Sequence, residues 1–300
     1  MGSSIFLSQI EIGRDYLLFF VLAGGGFFSV KAEPSNLYSV RADLVAPICE
    51  KGSPTPGKRV SQTTPGWEGS EVHHALYLPE DWKVGSRIPV VVEYAGNGHY
   101  QNALGDVSTG RVEDACLGYG ISGGRGMIWV VLPFIELQKD GSPRNTTKWW
   151  GDVEQTQKYC LATVADVCTR YGGDEKKVVL AGFSRGAIAC NYIGLHDDEI
   201  SKLWRAFVCH SHYDGVRQWP YAHSDAASAK TRLARLGDRP QFISHEVSTG
   251  PTESYLKNSG ITGKWTFEPL PFPNHSDQWV LRDLPIRASL RRWLAAALDQ

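Results

Sequence analysis

Residues 177–190 read KVVLAGFSRGAIAC, and this stretch is the most informative about the fold. Its start, residues 177–181, has the apolar, β-branched character of a buried strand. Gly182 and Gly186 then flank Ser184, and small, apolar residues of helical character follow. A strand, Gly-x-Ser-x-Gly and a helix in this order predict a sharp turn with the serine at its apex. The alternative is an ordinary glycine-rich turn with a helix-capping serine.

The predicted turn gives Ser184 a chemical role. Its hydroxyl would point out of the fold at a helix N-terminus, where backbone N–H groups stabilise an oxyanion. A serine hydroxyl is barely nucleophilic at neutral pH and needs a neighbouring base to take its proton. We therefore expect Ser184 to be a nucleophile and look for a histidine elsewhere in the chain.

The surrounding sequence predicts strands alternating with helices. An edge strand is expected at residues 71–79, a long helix at 151–172 and a closing helix at 284–298. The short apolar runs expected to form buried strands are residues 88–94, 126–133, 177–181, 206–210 and 240–244. This pattern predicts an α/β fold, a doubly wound and mostly parallel sheet with helices on both faces.

The turn and the order of these parts resemble the α/β-hydrolase superfamily, and within it secreted esterase-like serine hydrolases. The resemblance covers roughly residues 70–298, so we expect residues 71–300 to form one α/β-hydrolase domain. It implies a nucleophile, then an acid, then a late histidine in chain order. His275 lies in the stretch PFPNHSDQW before the last helix, where the superfamily places its catalytic base. His210, His212 and His245 are its competitors and are expected on the same rim.

The acid of the triad is open between three residues. The superfamily usually places it after the strand that precedes the histidine, but residues 243–253 contain no aspartate. Asp214 follows the preceding predicted strand and is the favoured candidate. Glu246 and Glu253 are the alternatives. Whichever residue serves would orient the imidazole and stabilise the imidazolium.

Two backbone N–H groups are expected to form the oxyanion hole. One belongs to Arg185, which follows the nucleophile. The other is expected in the loop after residues 88–94, which reads YAGNGHY and resembles a His-Gly-Gly loop with Ala95 in the histidine's place. Gly96 and Asn97 are the candidates there, since glycines allow the backbone to turn its amides inward.

The N-terminus resembles an export signal. An apolar run at residues 16–23 precedes Val30-Lys31-Ala32, which resembles a small-x-small cleavage site. Residues 1–32 are therefore predicted to be a signal peptide and residues 33–70 an N-terminal arm, which places the mature protein outside the cell or in the periplasm. The alternative is an uncleaved N-terminal anchor. No stable membrane association is expected after cleavage.

Composition narrows the classes of partner. The formal net charge is −1, and no basic stripe suggests nucleic acid. The chain shows no zinc-ligand spacing and no nucleotide-binding glycine loop, so neither a metal nor another cofactor is expected. The six cysteines are compatible with disulfides in an exported protein, and Cys49 with Cys116 is the pair to test first.

The predicted function is that of a serine hydrolase that cleaves carboxylic esters through an acyl-enzyme. A small polar or carbohydrate-linked ester is the favoured substrate. A peptidase of the prolyl-oligopeptidase type is the alternative on the same fold. A non-catalytic binding protein on a hydrolase fold is the alternative from another class.

Overall fold

The computed structural model describes residues 35–299 and, before them, only the backbone of two paired antiparallel strands. The predicted signal peptide, residues 1–32, lies outside the fully described residues and stays a prediction. Within the described part, no helix is both long and apolar enough to cross a membrane.

The chain alternates strands and helices. The strands are β1 (Leu17–Val21), β2 (Phe27–Lys31), β3 (Cys49–Lys51), β4 (Arg59–Gln62), β5 (His74–Tyr77), β6 (Ile88–Tyr94), β7 (Tyr100–Gln101), β8 (Val107–Ser108), β9 (Ile128–Leu132), β10 (Phe134–Leu137), β11 (Pro143–Thr146), β12 (Gly173–Phe183), β13 (Ala206–His210), β14 (Gln241–Glu246) and β15 (Trp265–Leu270). The helices are α1 (Leu117–Ser122), α2 (Val153–Tyr171), α3 (Arg185–Tyr192), α4 (Ala226–Leu233), α5 (Gly250–Ser259) and α6 (Pro285–Asp299).

Nine of these strands form the central sheet, in the order β15-β14-β13-β12-β6-β9-β5-β4-β3. The pairs from β15 to β9 are all parallel, whereas β5 runs antiparallel to both β9 and β4. The prediction of an α/β, mostly parallel sheet is confirmed. The sequence missed β3 and β4, which add residues 49–51 and 59–62 to the sheet from within the predicted arm.

Both faces of the sheet are buried, as the apolar runs predicted. On β6, Val90 and Val92 belong to the core on one face, together with Tyr159 of α2 and Ile188 of α3. Val91, between them, belongs to the core on the other face, where α1 and α6 pack. This alternation follows from the period of two along a strand, and two buried faces explain why these strands read as continuous apolar runs.

The cysteines are not paired. All six are free thiols in the structure, and all except Cys49 are buried. Cys49 and Cys116, the pair that the sequence singled out for testing, are therefore not bridged in the structure. Burial raises the pKa of Cys160 to about 12, so this thiol stays protonated and behaves as a small apolar side chain.

The predicted turn joins β12 to α3, and its two glycines are required by close packing. A Cβ on Gly182 would lie 2.0 Å from the carbonyl oxygen of Gly186. A Cβ on Gly186 would lie 1.8 Å from the carbonyl oxygen of Tyr94, the last residue of β6. Both distances are far inside van der Waals contact, so only glycine allows the helix to start this close to two strands.

We expect Gly186→Ala to lower the free energy of unfolding by about 3 kcal/mol, because backbone atoms must move to admit the methyl group. Urea denaturation measures this change. Gly250→Ala is the control, since its Cβ would meet only the Ser248 hydroxyl, at 3.2 Å. Equal unfolding midpoints for the two variants would contradict the packing argument.

Candidate active site

Ser184 stands at the apex of the turn in a strained backbone conformation. Its φ is 54° and its ψ is −113°, which non-glycine residues rarely adopt. The Ser184 N–H donates to the carbonyl oxygen of His210, 2.9 Å away, so the turn is fastened to the end of β13. The residue is only 7% exposed. The structure confirms the predicted strand–serine–helix geometry.

His275 reaches Ser184 from the loop between β15 and α6. Its Nε2 lies 3.0 Å from Ser184 Oγ. The ring packs against Tyr100 and Phe183, with centroid distances of 5.0 and 4.9 Å. The predicted pairing of this histidine with this serine is therefore present in the structure.

Glu246 is the carboxylate that meets His275. Its Oε1 lies 2.7 Å from His275 Nδ1. On the other side, Glu246 Oε2 lies 2.8 Å from Nδ1 of His245. Burial alone would raise the pKa of Glu246, but His245 and His275 outweigh it and hold that pKa well below its ordinary value. The carboxylate is therefore ionised at neutral pH.

Asp214, the favoured acid, does not contact His275, and that prediction is wrong. Its carboxylate accepts two hydrogen bonds from Arg232, Nε to Oδ2 at 2.8 Å and Nη2 to Oδ1 at 3.0 Å. Both side chains are buried. The loop after β13 turns Asp214 toward α4, which carries Arg232, and away from the histidine loop. Glu253, the third candidate, lies in α5 and accepts a hydrogen bond from Thr249.

The other two histidines at this rim are held uncharged. Burial lowers the pKa of His210 and of His212 to about 4. His210 Nε2 donates to the carbonyl oxygen of Ser276 at 3.0 Å, which ties β13 to the residue after His275. The His212 ring lies 5.1 Å from that of His275. Both rings are therefore neutral, and that of His212 packs against His275.

The loop that follows β6 lies against the turn, as the oxyanion prediction required. A Cβ on Gly96 would lie 2.8 Å from Phe183, the residue before the serine. Asn97 is the next residue of this loop. Its side-chain oxygen accepts a hydrogen bond from the Trp149 N–H at 2.8 Å, which holds Asn97 in place. Within residues 35–299, the Arg185 N–H has no hydrogen-bond acceptor, which leaves it available to a ligand.

The side chain of Arg185 supports this loop in a way the sequence did not reveal. The guanidinium is buried and donates to the carbonyl oxygens of Gly96 and Trp149, at 3.0 and 2.7 Å. It lies 4.0 Å from the ring centre of Phe134. Burial lowers the pKa of Arg185 to about 9, and the carbonyls and ring around it compensate part of that cost. One residue thus contributes its amide to the site and its side chain to the site's frame.

A second buried group, Asp106, fixes the histidine loop. Its Oδ2 accepts the His275 N–H at 2.8 Å, and its Oδ1 accepts the amide of Asn274 at 2.8 Å. Asn274 in turn accepts the Leu37 N–H at 2.7 Å. The N-terminal arm therefore packs directly on the loop that carries His275. No local pattern around Asp106 signals this role.

Half-buried aromatic residues border the site between the loop after β6 and His275. The ring of Trp149 lies 5.5 Å from that of Trp219, and Trp219 lies 5.3 Å from His212. A cleft of about 640 Å³ is lined by Ala95, from the loop after β6, and by both apolar residues and polar residues, the latter including His73, Arg111 and Glu113. Among the described residues, no cluster of potential ligands could hold a metal ion.

Comparisons with known proteins bear on the fold. No protein-family model and no curated protein matches the chain. Solved structures do, among them an esterase from Rhizomucor miehei with 12% identity and a TM-score of 0.53, over 81% of this chain and 82% of that one. The chain has the α/β-hydrolase fold.

Two further α/β-hydrolase-fold matches have comparable scores. DcsB, solved with its substrate analogue, is 10% identical with a TM-score of 0.51, over 81% of this chain and 99% of that one. A putative dipeptidyl aminopeptidase IV from Bacteroides ovatus is 14% identical with a TM-score of 0.52, over 97% of this chain but only 41% of that one. At these identities the similarity concerns the fold.

The positions of Glu246 and Asp214 predict different effects for their amide variants, one on activity and the other on stability. Glu246→Gln should lower kcat by about 10³- to 10⁴-fold, because an amide neither balances the imidazolium charge nor selects the correct tautomer. Asp214→Asn should lower the free energy of unfolding, because it leaves a buried Arg232 without its counter-charge. Steady-state kinetics and urea denaturation of both variants separate the two effects. A large fall in kcat for Asp214→Asn alone would return the acid's role to Asp214.

Proposed function

We propose that the protein is a serine hydrolase that cleaves carboxylic esters through an acyl-enzyme. The observation that carries the proposal is the line of contacts from Ser184 Oγ to His275 Nε2, 3.0 Å, and from His275 Nδ1 to Glu246 Oε1, 2.7 Å. This is the geometry by which a base takes the serine proton and an ionised acid stabilises the resulting imidazolium. The α/β-hydrolase fold, shared with esterases of known structure, supports the same reading.

The reaction proceeds in two halves. Ser184 Oγ attacks the ester carbonyl carbon while its proton passes to His275 Nε2. The carbonyl oxygen becomes an oxyanion, which the N–H of Arg185 and a backbone N–H of the loop at Gly96 and Asn97 stabilise. The C–O bond to the alcohol breaks as His275 returns the proton to the leaving oxygen. Water, deprotonated by His275, then attacks the acyl carbon. The bond from that carbon to Ser184 Oγ breaks, His275 returns the proton to Oγ, and the acid is released.

The ester is proposed to be polar or linked to a carbohydrate. The cleft lined by Ala95 supports this choice, because it offers polar groups, among them His73 and Glu113, beside the loop after β6. The half-buried rings of Trp149 and Trp219 add flat apolar surface beside His212. A panel of acetylated sugars, 4-nitrophenyl esters and feruloyl esters tests the preference.

A peptidase is the second candidate, because the Bacteroides ovatus structure with the same fold is reported as a putative dipeptidyl aminopeptidase IV. Both reactions use the same triad and differ in the leaving group. Amide hydrolysis of dipeptidyl 4-nitroanilides at a rate comparable with that of esters would favour this candidate.

We expect Ser184→Ala to reduce turnover of 4-nitrophenyl acetate by about 10³-fold or more, leaving the catalysis that the oxyanion hole supplies by itself. The wild type should also be labelled by a fluorophosphonate, and the variant should not. Circular dichroism of the variant checks that the fold is retained. A variant with most of its activity, or a wild type that resists labelling, would favour a non-catalytic binding protein instead.

We also propose that the protein is exported and that cleavage after Ala32 leaves the arm intact. The arm should be required to hold the loop that carries His275. Leu37 is buried, and its N–H donates a hydrogen bond to Asn274, the residue before His275. N-terminal sequencing of exported material should find a start near Glu33. Exported protein that still begins at Met1 would favour an N-terminal anchor.

A further inference from the structure

Ser211 makes two contacts with the triad that the proposed mechanism leaves unused. It is the first residue after β13, and its side chain is buried. Its hydroxyl donates to Oε1 of Glu246, the oxygen that also accepts from His275. The same Oγ lies 2.8 Å from Nδ1 of His275. Ser211 therefore touches both partners of the acid–base pair at the atoms through which they meet.

The backbone of Ser211 is in a conformation that disfavours a side chain. Its φ is 85°, in the left-handed region that glycine adopts without steric cost. The conformation is held by the sheet edge, where the Ser211 N–H donates to the carbonyl oxygen of Ser244 at 2.8 Å. Strained backbone residues cluster at functional sites, which points to a role for the Ser211 side chain.

The acid of the proposed triad is a glutamate, and its carboxylate needs a restraint that Ser211 supplies. A glutamate has one more rotatable bond than an aspartate, so its carboxylate needs more restraint to stay on one ring nitrogen. The Ser211 hydroxyl restrains Oε1, and His245 Nδ1 lies against Oε2 at 2.8 Å. Because the hydroxyl donates to an ionised oxygen, it also withdraws some of the charge that faces His275.

We propose that Ser211 is a positioning residue of the catalytic triad: its hydroxyl locks the carboxylate of Glu246 onto Nδ1 of His275. The inference rests on the proposed serine-hydrolase function and extends it to a fourth side chain. Ser211 touches no reacting atom and acts only through Glu246 and His275.

Several titratable groups surround Ser211 and Glu246, and they contribute to the pH dependence of kcat. His275 and His245 contact the two oxygens of Glu246. The ring of His212 lies 5.1 Å from that of His275 and 6.1 Å from that of His245. His210 lies behind them, bound to Ser244. A change confined to Ser211 leaves all four imidazoles in place.

Ser211→Gly separates a positioning role from a structural one. Glycine relieves the left-handed backbone, so the variant should resist urea at least as well as the wild type. Its kcat for 4-nitrophenyl acetate should nevertheless fall by about tenfold with KM nearly unchanged, the size expected for a lost hydrogen bond to a charged group. Without the hydroxyl, Glu246 faces His275 with its full charge, so the acid limb of the kcat profile should move to higher pH.

Two further variants complete the test. Ser211→Ala removes the hydroxyl but keeps the strain, and should lose the same activity as Ser211→Gly. His223→Gly is the matched control, because His223 is exposed, has a φ of 59° and lies outside the triad contacts. It should gain stability and keep the kcat and pH profile of the wild type.

The outcomes distinguish this inference from the function on which it rests. Wild-type kcat and pH profile in both Ser211 variants, with Ser184→Ala inactive, would overturn the positioning role alone. Activity losses that merely follow the folded fraction in urea would also overturn it. Full activity in Ser184→Ala would instead overturn the proposed function.

Discussion

The close approach of α3 to β6 is the constraint on which the rest of the site depends. Gly186 packs directly on the carbonyl oxygen of Tyr94, and this contact sets how sharply the chain turns at Ser184. The turn leaves Ser184 with an unfavourable φ, and the bond from its N–H to the end of β13 keeps it there. The same contact brings the loop at Gly96 against the serine. Ser184, the proposed nucleophile, and the proposed oxyanion loop are thus placed by one piece of backbone packing.

The parallel sheet explains why the remaining groups converge. The carboxyl ends of parallel strands lie at one edge, so the residues that follow β12, β13 and β14 meet there. Ser184 and Ser211 directly follow β12 and β13, and Glu246 is the last residue of β14. His275 comes from the loop after β15, and Asp106 holds that loop through its backbone N–H. The side chains of the proposed triad are therefore supported by elements that are distant in sequence.

The two carboxylates at this edge of the sheet differ in their charged partners. Glu246 lies between two imidazoles that keep it ionised, so its charge is available to His275. Asp214 lies at the same edge but meets the guanidinium of Arg232 in a buried, two-point contact, which satisfies both of its oxygens. This pair holds the Asp214 carboxylate against α4, where it makes no contact with His275. The contacts that each carboxylate makes thus decide which of the two meets His275.

The sequence by itself determined the strand–serine–helix turn, the mostly parallel sheet and the pairing of Ser184 with His275. These follow from local signals: glycine spacing, β-branched runs and the order of elements along the chain. It did not determine the acid, the pairing state of the cysteines, or the roles of Asp106, Ser211 and the Arg185 side chain. Each of these depends on contacts between residues far apart in the chain, such as Asp214 with Arg232 on α4 and Asp106 with His275. Only the tertiary structure decides such contacts, because the direction in which a loop turns its side chains is set by what packs against it.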